Sequence, residues 1–334
     1  MAAMDKRMNA AVLHAVSDLR YEEVIMPKPK DDEVLLRIRA SGICGSDLPR
    51  VFTKGTYKFP TIPGHEFAGE IIESGNKDLI GRKAAVFPIL PCGKCGSCQV
   101  GEYAQCENYD YYGSRRDGGF AEYIAVKEWN LVMMPDELSF EEAAMCEPAA
   151  VALHAINQAQ IKIGDTVVIY GAGAIGMILA QWAKINGAGN VTVVDIDGEK
   201  IKFAKTMGFD EYDGSFKADV VIEGAGASSA LENCLKTAKN FGRVVLMGNP
   251  LGDMNISQNA YWEILRKQLT LAGTWNSSYN NMRNEWKTSI EAMQSKQLNL
   301  KPLITHRYEL KECNIAFNMM KGKKEFYNKV MFCM

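Results

Sequence analysis

Thr166–Ile185 reads TVVIYGAGAIGMILAQWAKI. A run of β-branched and apolar residues leads into three glycines spaced G-x-G-x-x-G. An apolar segment without Gly or Pro then continues to Gly187. The pattern predicts a strand, a tight turn and a helix that together cradle a dinucleotide. Gly171 permits the turn, Gly173 lets backbone approach a pyrophosphate, and Gly176 lets helix and strand pack closely. The helix N-terminus, with Ala174 and Ile175 in its first turn, favours the phosphate charge. The next apolar run, NVTVVD, ends in Asp195, nineteen residues after Gly176. An acid there accepts hydrogen bonds from ribose hydroxyls. Ile196 and Asp197 follow it rather than arginine, which favours NAD over NADP. ADVVIEG, RVVLMG and LTLAG continue the series. Short apolar strands alternating with helical patterns are the signature of a parallel, doubly wound sheet. Between Phe209 and Ala218 there is room only for a loop or turn.

Working outward, the first 130 residues read as β-rich, with EVLLRIRA (Glu33 to Ala40), FAGEIIES (Phe67 to Ser74) and FAEYIAV (Phe120 to Val126) between Gly and Pro breaks. Ser139 and Glu142 form an S-x-x-E capping box that opens a helix. Pro148 predicts a break and the start of a second helix through Gln158. After about Trp275 the chain returns to helix and mixed β, ending in KVMFCM. A length of 334 residues suggests two domains. With 38 basic against 40 acidic side chains, the near-neutral charge argues against a nucleic-acid binder, which would need a basic surface to engage phosphates. The balance of 47% apolar and 23% charged residues fits a soluble globular protein. The uncharged run from Thr166 to Ala183 has membrane length, but its glycines make it strand, turn and helix instead. No signal-peptide pattern opens the sequence, so a cytoplasmic protein is expected.

Nine cysteines include four within fifteen residues. Without a secretory signal, such crowding reads as metal binding before disulfides. Cys92, Cys95, Cys98 and Cys106 are spaced C-x2-C-x2-C-x7-C, with Gly93, Gly96 and Gly101 expected to ease the turns. Four thiolates on a short lobe suit a closed, structural zinc. A ferredoxin-type cluster would end C-x3-C-P, whereas here the last interval is seven and Glu107 follows. A second site would have to be assembled from Cys44 in SGICGSD, His65 in PGHEF and Glu147 in CEP. Cysteine, histidine and carboxylate plus water would make an open zinc site. Each residue also has a bland reading, as a buried thiol, a loop histidine or a helix-start carboxylate, and spacing alone does not decide.

SGICGSD, GHEFAG, the four-cysteine lobe, GGFAEY and GAGAIG, in this order, resemble the zinc-containing medium-chain alcohol and polyol dehydrogenases over nearly the whole chain. SGICGSDLPRVF, YAQCENYDYYGSRRDGGFAEY and TWNSS resemble the galactitol-1-phosphate branch of that family, near the sorbitol dehydrogenases. The resemblance implies an α/β protein with a GroES-like, β-rich catalytic domain in residues 8–150 and 281–334. Its structural zinc lobe lies at about 91–107, and a doubly wound Rossmann domain occupies 151–280. It implies NAD and two zinc ions per chain, one held by Cys44, His65 and Glu147, the other by Cys92, Cys95, Cys98 and Cys106. Glu66 ranks behind Glu147 as a ligand, and Cys146 is a decoy beside it.

The implied chemistry is zinc lowering the pKa of a substrate hydroxyl, with hydride passing to the nicotinamide. Ser46 matches the family's first relay hydroxyl, but Pro49 stands where classical members place a relay histidine. Proton exit is therefore expected through water and a carboxylate, Glu147 or Glu66. His154 is read as structural. The substrate implied is galactitol 1-phosphate, oxidised to tagatose 6-phosphate. Alternatives are a sorbitol-, xylitol-, arabitol- or ribitol-type polyol or pentitol phosphate, or threonine, and from another class a non-catalytic NAD- and zinc-binding regulator. Phosphate recognition needs fixed positive charge. Arg115 and Arg116 are the first candidates, with Arg50 and Lys267 behind them and Trp275 as a further substrate candidate. Arg115 pairing with Asp117, or in the neighbourhood of Glu147, is the competing structural role. The resemblance further implies a homodimer or homotetramer, with LTLAG as a pairing edge, and neither a nucleic-acid nor a membrane partner.

Overall fold

The computed structural model describes residues 6–250 and 252–334, and the chain divides into two compact units. One comprises the described chain up to Glu147, Ser278–Ser295 and Leu300–Met334; the other comprises Pro148–Ser277 and Lys296–Asn299. The return to the first unit thus falls at Ser278, and a short stretch after Ser295 belongs to the second.

The second unit is a six-stranded sheet in the order Asp210–Glu211, Asn190–Val194, Thr166–Tyr170, Ala218–Glu223, Ala238–Leu246, Thr270–Gly273. Every neighbouring pair is parallel. Val167, Val168, Ile169, Val220, Val221, Ile222, Val244 and Val245 are fully buried, which explains why the strands read as continuous apolar runs rather than alternating ones. The helix Ala174–Ile185 buries Met177, Ile178, Leu179 and Trp182, each stabilising by about 1.5–3 kcal/mol. The segment expected to be only a loop holds the sixth strand. Asp210 and Glu211 pair with Thr192 and Val193, and both acids are exposed, so no apolar pattern announces them. Thr270–Gly273 closes the other edge largely exposed. The adjacent helix Gln258–Lys267 leaves Tyr261, Trp262 and Leu265 exposed.

The first unit is built on a seven-stranded sheet. Its main path runs Ile304–Tyr308, Lys329–Cys333, Glu33–Ile43, Glu66–Glu73, Lys83–Val86, Leu131–Met133, with Tyr123–Lys127 pairing Glu33–Ile43 as well. The strand expected from Phe120 begins only at Tyr123, and Ala121 makes an isolated bridge to Ala10. Lys329–Cys333 lies antiparallel to Glu33–Ile43, Val330 opposite Ile43, so distant segments share one sheet. On its other side Gly42 faces Glu66.

The Ser139–Glu142 capping box is formed, opening Phe140–Ala144. A second helix, Cys146–Ala159, carries Pro148 in its first turn, where a missing N–H costs nothing. Among the described residues no helix is long and apolar enough to cross a membrane.

Candidate active site and metal centres

The cysteine lobe converges on a point. Cys92, Cys95, Cys98 and Cys106 place their Sγ atoms within 4.8 Å of one another. The Cys95 and Cys98 sulfurs are 3.5 Å apart. Gly93 and Gly101 take positive φ, while Gly96, expected to ease a turn as well, opens the short helix Gly96–Gln99. Backbone N–H groups of Glu107 and Cys98 donate to Cys95 and draw its thiol down to about 6, whereas burial pushes the Cys98 thiol up to about 12. Four sulfurs this close would repel one another as bare thiolates, and a tetrahedral zinc with bonds of about 2.3 Å removes that repulsion. The lobe is anchored by Asn280 Nδ2, which donates to Gly101 O at 2.9 Å, and by Tyr103 against Trp129 at 5.3 Å between centroids.

Three strand ends build the second cluster. Cys44 follows Glu33–Ile43, His65 precedes Glu66–Glu73, and Lys329 opens the third strand. Cys44, His65 and Glu66 bring a sulfur, a ring nitrogen and a carboxylate oxygen within 4.8 Å of one another. Glu147, ranked above Glu66 from the sequence, is not in this group. It sits at the start of the helix Cys146–Ala159, buried and close enough for its charge to act on Glu66, His65 and Lys329. The reason is register: Glu66 lies beside Gly42 at the end of the very strand that delivers Cys44. Cys146, the decoy, points away, its Sγ 3.7 Å from Trp286 O.

Sequence reading missed the groups that orient these donors. Asp47 is wholly buried. Its Oδ2 accepts from the Cys44 N–H at 3.0 Å, its Oδ1 accepts from Arg50 Nη1 at 2.9 Å, and Oδ1 lies 3.5 Å from His65 Nδ1. Burial alone would raise the Asp47 pKa, but His65, Arg50 and the Cys44 N–H hold it below the ordinary value. A carboxylate behind a ligating histidine fixes the ring and raises its basicity. Ser46 Oγ accepts from Arg50 at 2.9 Å and donates to Cys44 Sγ at 3.2 Å. Lys329 Nζ donates to both oxygens of Glu66, at 2.8 and 2.6 Å, with both side chains almost fully buried. Tyr111 packs on His65, ring centroids 5.6 Å apart.

Burial opposes an imidazolium at His65, yet Tyr111, Asp47 and Cys44 outweigh it, so the pKa stands well above ordinary. Glu147 is pushed up to about 7 by burial and by the Glu66 charge, against the pull of His65 and Lys329. A thiol, an imidazole and a carboxylate, buried together in a region that favours positive charge, fit an open tetrahedral zinc.

In the second unit the glycine turn is formed as expected. Gly171 has φ of 109°. A Cβ on Gly176 would fall 1.8 Å from Gly171 O, so only glycine fits there. Gly173 caps the helix that Ala174 and Ile175 begin. Asp195 closes the turn: its Oδ2 accepts from Ala172 N at 2.8 Å and its Oδ1 from Asp197 N at 3.0 Å. Lys200, five residues beyond Asp195, reaches back until its Nζ is 4.0 Å from where a Gly173 Cβ would stand. That places a cation beside the phosphate turn. Trp275 is exposed and belongs to this unit. Lys267 is not available to a substrate, since its Nζ donates to the carbonyls of Leu235, Lys236 and Ala238.

Residues 30–136 match the alcohol dehydrogenase GroES-like domain family, and residues 174–295 match the zinc-binding dehydrogenase family. The chain belongs to the zinc-containing medium-chain alcohol and polyol dehydrogenases, a family of oxidoreductases. It is 38% identical to galactitol 1-phosphate 5-dehydrogenase of Escherichia coli K12, over 91% of this chain and 95% of that one. The crystal structure of galactitol-1-phosphate dehydrogenase from Escherichia coli superposes with a TM-score of 0.90 at 35% identity, covering 98% of this chain and 100% of the other. Two further structures are 27% identical. A Sinorhizobium meliloti zinc-binding dehydrogenase bound to NADP has a TM-score of 0.90, with 98% and 100% covered. An Escherichia coli CFT073 alcohol dehydrogenase complexed with NADH has 0.89, with 98% and 99% covered.

Proposed function

We propose that the protein oxidises a secondary hydroxyl of galactitol 1-phosphate to give tagatose 6-phosphate. NAD would be the hydride acceptor, and each chain would hold two zinc ions. The observation that carries the reading is the meeting of Cys44, His65 and Glu66, with Asp47 behind the histidine. The same chain carries a formed glycine turn and Asp195. The polyol phosphate is taken from the likeness to the Escherichia coli enzyme. NAD over NADP rests on the Asp195 carboxylate, which would bond a ribose hydroxyl and repel a 2′-phosphate.

Zinc at the trio would supply a Lewis acid that makes the substrate hydroxyl acidic, and the nicotinamide would take the hydride. Cys44, His65 and Glu66 hold the metal in this scheme. Glu66 keeps lone pairs for it, because a carboxylate offers about four acceptor sites and Lys329 occupies two. Asp47 orients His65. Ser46, fixed by Arg50, presents its hydroxyl at Cys44, next to where the substrate oxygen would sit. Pro49 supplies no relay histidine, so the released proton would be held by Glu147, a buried carboxylate whose charge acts on Glu66 and His65. Cys92, Cys95, Cys98 and Cys106 hold the structural zinc. A second copy would pair at the exposed strand Thr270–Gly273 and the helix face carrying Tyr261, Trp262 and Leu265. All nine cysteines are unpaired, which suits a reducing, cytoplasmic setting.

NADH formation with galactitol and galactitol 1-phosphate, before and after chelation and zinc restoration, tests the reading. Zinc-dependent turnover of the phosphate is expected, and silence on both substrates would refute it. Metal analysis separates the carboxylates: Glu66→Gln should fall from two zinc ions per chain to one, and Glu147→Gln should keep both while losing turnover.

A further inference from the structure

We propose that Arg115 is the residue that reads the substrate's phosphate, an inference that rests on the polyol-phosphate reading above. Four cations were candidates, and the structure separates them. Lys267 caps carbonyls in the other unit. Arg116 Nε donates to Asp110 Oδ2 at 2.7 Å. Arg50 Nη1 donates to Asp47 Oδ1 and Ser46 Oγ, each at 2.9 Å, which ties it into the framework of the metal trio. Arg115 has no carboxylate partner among the described residues. Asp117, its expected competitor, instead accepts from the Ile62 N–H at 3.0 Å.

The guanidinium of Arg115 lies over two aromatic rings, 4.3 Å from the Tyr57 centroid and 4.5 Å from that of Tyr109. Contact with two rings restrains the planar group without occupying its N–H donors. An arginine held this way has little rotamer freedom left to lose, and its donors form the fork that matches a phosphate. Arg115 also borders a cavity of about 580 Å³ that Lys58 and Arg116 line as well. Lys28 and Lys30 join these cations, against the carboxylates of Glu33, Asp110 and Asp117, so the lining gives a phosphoryl group room and a net positive charge.

The loop that carries Arg115 is fastened to the loop that carries His65. Gly118 and Gly119 donate to Ile62 O and Gly64 O at 2.7 and 2.8 Å, and Phe120 donates to Pro63 O at 3.0 Å. A Cβ on Gly113 or Gly118 would fall 2.3 or 2.1 Å from Gly64 O, so only glycine allows this approach. Two ring contacts then connect Arg115 to the metal trio: Tyr109 to Tyr111 at 6.2 Å, and Tyr111 to His65 at 5.6 Å. The fork and the reacting end are thus held in one rigid piece, which makes Arg115 a specificity-determining residue.

The experiment compares kcat and KM of the zinc-loaded enzyme on galactitol 1-phosphate and galactitol for wild type, Arg115→Gln, Arg115→Lys and Arg116→Gln. Inorganic phosphate serves as an inhibitor. Expected is a 10- to 100-fold fall in the preference ratio for the phosphorylated polyol in Arg115→Gln, carried by KM. Arg115→Lys, which keeps the charge and should fold, should recover only part of it, and Arg116→Gln should lose at most a few-fold. Phosphate should compete with galactitol 1-phosphate in wild type and compete at least tenfold more weakly in Arg115→Gln. A wild-type enzyme that prefers the phosphate, with Arg115 variants that prefer it equally, overturns the assignment and leaves the proposed function standing. A wild-type enzyme with no preference for the phosphate overturns the substrate reading, and this inference with it.

Discussion

Replacing Lys329 by methionine removes one half of a buried ion pair whose partners are only 4% and 2% exposed. Stranding the Glu66 carboxylate in that setting costs about 3–5 kcal/mol, a large share of a typical total of about 5–15 kcal/mol. The cost should fall mainly on the metal-free protein. A dication held by Cys44, His65 and Glu66, whose donors lie within 4.8 Å of one another, would supply the charge that the ammonium had balanced. Lys329→Met should therefore lose about 3–5 kcal/mol without metal and much less with zinc. By linkage the difference appears as tighter zinc binding, about 10²- to 10³-fold at 1.4 kcal/mol per decade. Zinc titration against a competing chelator measures this, and the four-cysteine lobe serves as an internal standard that the substitution leaves alone. Denaturant unfolding of both forms closes the cycle. Unchanged or weaker zinc affinity at the trio, or equal destabilisation with and without metal, would show that Glu66 does not face the metal as argued.

Three further outcomes are expected. Asp219 is held at about 2 because Lys239 and the Thr166 N–H and hydroxyl outweigh burial. A depressed carboxyl stabilises the fold above pH 4 and loses that contribution as pH falls through about 2. Asp219→Asn should thus cost about 2 kcal/mol at pH 7 and only about 0.4 kcal/mol at pH 2 by denaturant melts, and an equal loss at both would contradict the assignment. Gly176→Ala drives a Cβ into Gly171 O, so fluorescence titration should show NADH binding weakened at least 100-fold, and wild-type affinity would disprove the tight packing. If a second copy pairs at the edge strand as proposed, wild type should sediment as an oligomer and Leu271→Arg, on that exposed strand, as a monomer; a monomeric wild type, or an unaltered assembly in the variant, would refute the pairing.

The parts legible in the sequence are those whose geometry is local. The glycine turn and Asp195 lie on consecutive elements, and the four cysteines span a single short lobe, so spacing alone describes them. The two-residue strand Asp210–Glu211 escaped because exposed acids carry no apolar signal. The trio depends on how strands pair, which no spacing records. Glu66 was visible beside His65, but its place next to Cys44 follows from Gly42 facing it across the sheet. Lys329, more than 260 residues away from Glu66, could not be connected to it from sequence at all. Asp47 lay in plain view in SGICGSD, and its signal was an acid three residues after Cys44, a loop donor that would need support. The arginines were found as a pair, and only their surroundings distinguish the one over two rings from the salt-bridged one.

The strand Lys329–Cys333 beside Glu33–Ile43 has a consequence for the order of assembly during synthesis. Translation proceeds at about 5–20 residues per second, so Cys44, His65 and Glu66 emerge many seconds before the strand that completes their sheet. The nucleotide-binding unit has all its strands by Gly273 and can close first. The sheet beneath the metal trio stays incomplete until Lys329–Cys333 pairs with Glu33–Ile43. On the proposed function, a chain cut short before that strand would keep its glycine turn and its cysteine lobe while the sheet that carries the trio stayed incomplete. Loss of a few residues late in the sequence would thus separate cofactor binding from catalysis.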